Sequence, residues 1–82
     1  MSATWNREVW RTCRGSEVRY ELRYGRDQIG LVFYQGHRRW HGSCSWQGRF
    51  HWFVVGSPLR ARRIVQSWLD RQWDGPVIEN PA

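Results

Sequence analysis

Between residues 17 and 24 apolar and charged positions alternate without a break, with Val18, Tyr20, Leu22 and Tyr24 on one side and Glu17, Arg19, Glu21 and Arg23 on the other. A period of two predicts a β-strand with one buried face. The Gly25-Arg26 pair that follows suits a type II′ turn with glycine first. Opposing Tyr24 to Asp27 then pairs Leu22 with Ile29, Tyr20 with Leu31 and Val18 with Phe33. The same two-residue loop at Gln35-Gly36 sets Leu31 opposite Trp40, Val32 opposite Arg39 and Tyr34 opposite His37. At Gln47-Gly48 it sets Trp46 opposite Arg49, Cys44 opposite His51 and Gly42 opposite Phe53. Gln is a poor first residue for a type I′ turn, so these two loops are where the register can fail.

These registers agree on one buried face: Val18, Tyr20, Leu22, Ile29, Leu31, Phe33, Trp40, Cys44, Trp46, Phe53 and Val55. A one-residue slip would invert a strand, so their agreement is the main structural argument. The opposite face then carries Arg19, Glu21, Arg23, Val32, Tyr34, Arg39, His41, Ser43, Ser45, Phe50, Trp52 and Val54.

From residue 57 the period changes. Ser57 is a good N-cap, Pro58 suits the first helical position, and Ala61, Ile64, Val65, Trp68 and Leu69 recur at helical spacing as far as Trp73. Gly75 and Pro76 end the run. Arg60, Arg62 and Arg63 sit in the first turns and Asp70 and Asp74 near the end, against the helix dipole. They either find partners in the tertiary structure or leave a basic helix start for an anion.

Upstream, residues 5 to 13 fit either a short helix capped by Thr4 or a strand from Glu8 to Arg14. The strand is preferred, because a Gly15-Ser16 loop would face Arg14 with Glu17 and Glu8 with Arg23. Residues 1–4 are expected to be disordered, and 76–82 to form a tail in which Val77 and Ile78 fold back on the sheet edge. The expected fold is α+β: a four- or five-stranded antiparallel β-meander with one C-terminal amphipathic helix packed on one face, in a single domain of residues 1–82.

Composition adds direction to this frame. The net charge is +6, and all thirteen basic residues are Arg. Arg pairs with phosphate bidentately and stacks on rings, which favours a polyanion partner, although a GC-rich genome also replaces Lys with Arg. Seven Trp, three Tyr and three Phe exceed what a core of this size absorbs, so some rings are expected at the surface. Two distant cysteines, no leader and no apolar run of spanning length point to a cytoplasmic protein with free thiols and no membrane partner.

Catalytic chemistry finds little support. His37, His41, Cys44 and His51 lie within fifteen residues, but His41 and Cys44 point to opposite faces in this register and Cys13 lies strands away, so no metal and no cofactor is expected. A Cys44–His51 nucleophile pair has no third orienting group, and the glycines mark strand ends and turns, not a phosphate loop. A nuclease using His41 as base is the one enzyme reading with any footing.

The expected function is therefore a small, basic, non-catalytic nucleic-acid-binding module. Its expected contacts are Arg19, Arg23, Tyr34, Arg39, His41, Phe50 and Trp52 on the open sheet face, with Arg60, Arg62 and Arg63 adding phosphate contacts. The alternative is a phage or mobile-element inhibitor that binds a host nucleic-acid-processing defence complex, as anti-CRISPR proteins do, through Trp and Arg hot spots. A homodimer through Phe50, Trp52 and Val54 is compatible with both. In element order, three strands followed by a packed helix, residues Gly30 to Gln72 resemble the small DNA-binding domains of the AP2 type and the arm-binding domains of phage integrases. No motif accompanies that resemblance, and it assigns no residue.

Overall fold

The computed structural model describes residues 3–72. Five strands, β1 (Thr4–Thr12), β2 (Gly15–Tyr24), β3 (Asp27–Gly36), β4 (Arg39–Trp46) and β5 (Arg49–Val55), form one antiparallel sheet in sequence order, followed by helix α1 (Pro58–Gln72). The fold is α+β. The helix packs chiefly on β4, and on β3 and β5. Its stop at Gly75-Pro76 and the proposed return of Val77 and Ile78 lie outside the described residues.

The helix forms as its sequence dictates. The Ser57 hydroxyl accepts a hydrogen bond from the Arg60 N–H at 3.1 Å, and the Ala61 N–H donates to the Ser57 carbonyl at 3.1 Å. Ala61, Val65 and Leu69 are buried on one stripe. Beneath them lie Leu22, Val32 and Cys44, with Tyr20, Tyr24, Trp40, Trp46, Phe53 and Val55 packed around them. Arg49 donates to the Gln72 side chain, tying the far end of the helix back to the start of β5.

Two turns keep the predicted register. Tyr24 opposes Asp27 with positive φ at Gly25 alone, as type II′ requires, and Trp46 opposes Arg49 across Gln47 (φ 50°) and Gly48 (φ 80°), both left-handed as in type I′. Cys44 faces His51 and Gly42 faces Phe53 as expected.

Strand β3 departs from the prediction. A bulge between Leu22 and Arg23 brings Leu22 opposite Gly30 and Tyr20 opposite Val32. At the other end the turn moves from Gln35-Gly36 to His37-Arg38 (φ 53° and 58°), so that Tyr34, not Leu31, opposes Trp40. The strand is inverted: Val32 is buried under the helix, while Leu31 and Phe33 go to the open face. The physical reason is room. A Cβ on Gly30 would sit 2.8 Å from Val65 Cγ1, and one on Gly42 would sit 2.3 Å from Phe53 Cζ. Both glycines are notches on the helix-covered face; Gly42 faces inward in the expected register as well, and the inversion of β3 turns Gly30 inward beneath Val65.

The N-terminal hairpin also differs. Its turn is Cys13-Arg14, followed by Gly15 at φ 112°, so Glu8 opposes Arg19 and Trp10 opposes Glu17. The predicted Arg14–Glu17 and Glu8–Arg23 pairs do not form. The Thr12 hydroxyl favours this turn, accepting from the Arg14 N–H and donating to the Gly15 carbonyl. Nor are residues 3 and 4 disordered, since Ala3 is buried and Thr4 begins β1. Trp5 anchors the strand at 1% exposure, opposite Leu22.

A candidate nucleic-acid interface

The alternation of β1 to β5 places one side chain per strand in a line across the open face. The Arg19 guanidinium lies 4.6 Å from the Trp10 ring centroid on β1 and 5.8 Å from that of Phe33 on β3. Phe33 stacks on His41 of β4 at 4.8 Å and 24°, and His41 stacks on Trp52 of β5 at 5.7 Å and 4°. Arg19, Phe33 and His41 are direct register partners, whereas Trp10 and Trp52 are reached diagonally, at distances that long side chains can bridge. The result is a continuous row, Trp10–Arg19–Phe33–His41–Trp52, from one sheet edge to the other.

The ends of this row are open, with Trp10 47% and Trp52 59% exposed, and Phe50 beside Trp52 is 66% exposed. The Trp10 indole N–H is held by Glu8 at 3.0 Å. Arg19 Nε is enclosed and has no hydrogen-bond acceptor among the described residues. Rings, not oxygens, hold that guanidinium, an arrangement worth about 0.5–2 kcal/mol against a desolvation cost of similar size.

Two hollows flank Arg19. One of ≈ 400 Å³ is lined by Glu8, Trp10, Glu21, Arg23, Gln28 and Leu31, and the other, of ≈ 370 Å³, by Arg14, Glu17, Phe33 and Tyr34 among others. Glu21 is only 4% exposed, yet its Oε1 accepts from Gln28 at 3.0 Å and from Arg23 at 2.6 Å. The first hollow thus places carboxylate acceptors and guanidinium donors beside an indole.

The open face itself is nearly balanced in charge. Arg19, Arg23 and Arg39 share it with Glu8, Glu17 and Glu21, three against three, and all three acids lie on β1 and β2. Positive charge gathers instead at one end of the sheet. A meander puts the Cys13-Arg14 turn, the His37-Arg38 turn and the start of α1 at the same end, bringing together Arg11, Arg14, Arg38, Arg39, Arg60 and Arg63.

The predicted contact residues are therefore divided. Arg19, Arg23, Arg39, His41, Phe50 and Trp52 share the open face, and Arg60 and Arg63 stand at the basic end. Tyr34 is corrected: β3 is inverted, so Tyr34 lies on the other side against Trp40 at 5.2 Å, and its hydroxyl accepts from the Arg38 N–H. Arg62 lies over Tyr20 at 4.4 Å in the seam between helix and sheet, away from the open face. Sequence reasoning missed Trp10 and Phe33. Trp10 stays on the open face in either hairpin register and carried no separate signal, whereas Phe33 was hidden by the bulge; Gly30, read as a notch, would have revealed it.

Chemistry of other kinds has less to work with. The Cys44 thiol donates to the His51 carbonyl at 3.7 Å, and burial pushes its pKa up to about 11, the reverse of an activated nucleophile. The His51 ring is occupied between Phe53 and Trp68. Among the described residues no three His, Cys, Asp or Glu converge on a metal position, and no helix is long and apolar enough to cross a membrane. No family model, curated protein or solved structure matches the chain.

Proposed function

We propose that this protein is a non-catalytic, cytoplasmic nucleic-acid-binding module, working without a cofactor. The supporting observation is the Trp10–Arg19–Phe33–His41–Trp52 row on an uncovered sheet. Every base has a π-face, so stacking on such rings is favourable whatever the sequence, by about 1–3 kcal/mol per base. Phosphates are taken by the basic end, where Arg14, Arg38, Arg39, Arg60 and Arg63 release counterions on binding. Base stacking and phosphate neutralisation are thereby divided between the face and its rim.

The test is titration of nuclease-treated protein against labelled DNA and RNA at 50 and 200 mM salt, following anisotropy and Trp fluorescence. Binding should weaken by about threefold for each phosphate neutralised over that range and should quench Trp emission. Unquenched Trp emission in a complex that salt dissociates would remove the face from the mechanism and leave only the basic end.

One observation favours a second reading, in which the partner is a host protein and this chain an inhibitor. Phe50, Trp52 and Val54 form an exposed apolar run on β5, which is an edge strand of the sheet. Such a strand can pair with another chain or with a second copy of itself. A stable complex with a host protein that persists at 0.5 M salt, without nucleic acid, would favour that reading.

A further inference from the structure

We infer that the nucleic acid taken by the open face is single-stranded and lies across the strands, along the ring row from Trp52 on β5 to Trp10 on β1. The inference rests on the nucleic-acid reading of this face and narrows it. Width is the first argument. Five strands at about 4.8 Å spacing put β1 about 19 Å from β5. The major groove of B-DNA is about 12 Å wide and admits a helix or a two-stranded ribbon. A flat face of five strands is too broad to enter such a groove. Helix α1 could enter a groove by size, but Ala61, Val65 and Leu69 commit one stripe of it to the opposite side of the sheet from the rings.

The rings supply the second argument. A base reaches an aromatic side chain only after leaving its own stack, which a single strand does at little cost and a duplex does not. Phe33 lies between the Arg19 guanidinium and the His41 ring, and His41 between Phe33 and Trp52, whereas Trp10 and Trp52 each have a neighbour in the row on one side only. The two indoles are the platforms that remain for bases, one at each end of the track.

Charge orients the strand on that track. Glu8 and Glu21 at mid-strand and Glu17 directly opposite Trp10 repel phosphate from β1 and β2, while the open face of β3 to β5 carries no acid among the described residues and leads to Arg39 at the basic end. The Trp52 half is accordingly the anchor, where backbone and base both fit. At the Trp10 end a base enters the ≈ 400 Å³ hollow, where the Glu8 and Glu21 carboxylates and the Arg19 guanidinium stand around it, and its phosphate is turned outward toward Arg14. A track of about 19 Å holds at most about six nucleotides, the count at the about 3.4 Å per nucleotide of a fully stacked strand, and fewer once bases leave the stack for the rings.

The experiment is anisotropy at 50 mM salt with labelled oligothymidylates and oligouridylates of two, four, six and twelve nucleotides, and with a blunt twelve-base-pair duplex. Wild type is compared with Trp52→Ala and Trp10→Ala, both checked for folding by circular dichroism. We expect single strands to bind at least tenfold more tightly than the duplex, with affinity rising between two and at most six nucleotides and then levelling. Trp52→Ala should weaken every length by about 5- to 150-fold, the equivalent of about 1–3 kcal/mol per stacked base. Trp10→Ala should weaken only those long enough to reach β1. Duplex binding as tight as single-strand binding would overturn the inference while leaving the nucleic-acid reading standing, and would direct attention to the β1–β2 ribbon, whose residues Gly15 to Val18 have no partner on β3. Equal affinity for two and twelve nucleotides would also overturn it. Absence of binding to any of these probes would overturn both.

Discussion

On the helix-covered face, rings are closed against one another and against α1: Tyr20 against Trp40 at 6.4 Å, Tyr24 edge-on to Trp46 at 6.0 Å, His51 against Trp68 at 6.2 Å. On the open face, rings of the same kinds line up at similar spacings, but nothing among the described residues lies over them. Aromatic content alone does not say which rings form the core. Two glycines and one helix stripe decide it, because only the face with notches at Gly30 and Gly42 accepts Val65 and the Phe53 ring.

Substitutions should separate the two faces cleanly. The largest effect is expected from Trp5→Ala, which empties a fully enclosed site beneath the first strand. A loss of about 3 kcal/mol, the lower end for such truncations because the enclosed indole N–H has no acceptor among the described residues, should appear as a lowered urea midpoint. An unchanged midpoint would mean that β1 does not contribute to the core.

Next in size is a pH effect carried by Cys44. Its pKa is raised from 9.0 to about 11 by burial, so between those values the unfolded chain loses the thiol proton while the native state keeps it. Native stability is therefore full below pH 9 and falls as pH rises toward 11, by at most about 2–3 kcal/mol from this group. Urea melts at pH 8 and pH 10.5 should show the drop in wild type, and a smaller drop in Cys44→Ala.

Ser57→Ala removes the helix cap and should cost about 1 kcal/mol, read as a lower melting temperature with nucleic-acid binding retained. The smallest stability effect belongs to the open face. Trp52→Ala should shift unfolding by no more than about 0.5 kcal/mol, as expected for an exposed side chain. A loss comparable to that of Trp5→Ala would erase the distinction between the faces and make the ring row a second core.

The sequence by itself determined those elements whose signals are local. The alternation of residues 17 to 24 set β2, Gly25-Arg26 set its turn, Gln47-Gly48 joined β4 to β5 in the right register, and Ser57-Pro58 with the stripe at Ala61, Val65 and Leu69 set the helix. Each of these depends on dihedral preference or periodicity within a few residues. Most of the open face was also legible, because Arg19, Arg39, His41, Phe50 and Trp52 lie on strands whose register was read correctly or whose alternation was unambiguous.

What the sequence left undecided was which side of β3 faces the helix. Leu31, Val32, Phe33 and Tyr34 are a run without alternation, so periodicity is silent there. The choice fell to packing between distant parts of the chain: Val65 needs the space above Gly30, and the register shifts at Leu22/Arg23 and Tyr34/Gly36 turn that glycine inward while β4 and β5 keep Gly42 beneath Phe53. The same tertiary choice put Phe33 between Arg19 and His41 and completed the row across the sheet. The individual side chains were present in the sequence, but only the fold could make them neighbours, because adjacency across strands is fixed by register and register here is set by the helix.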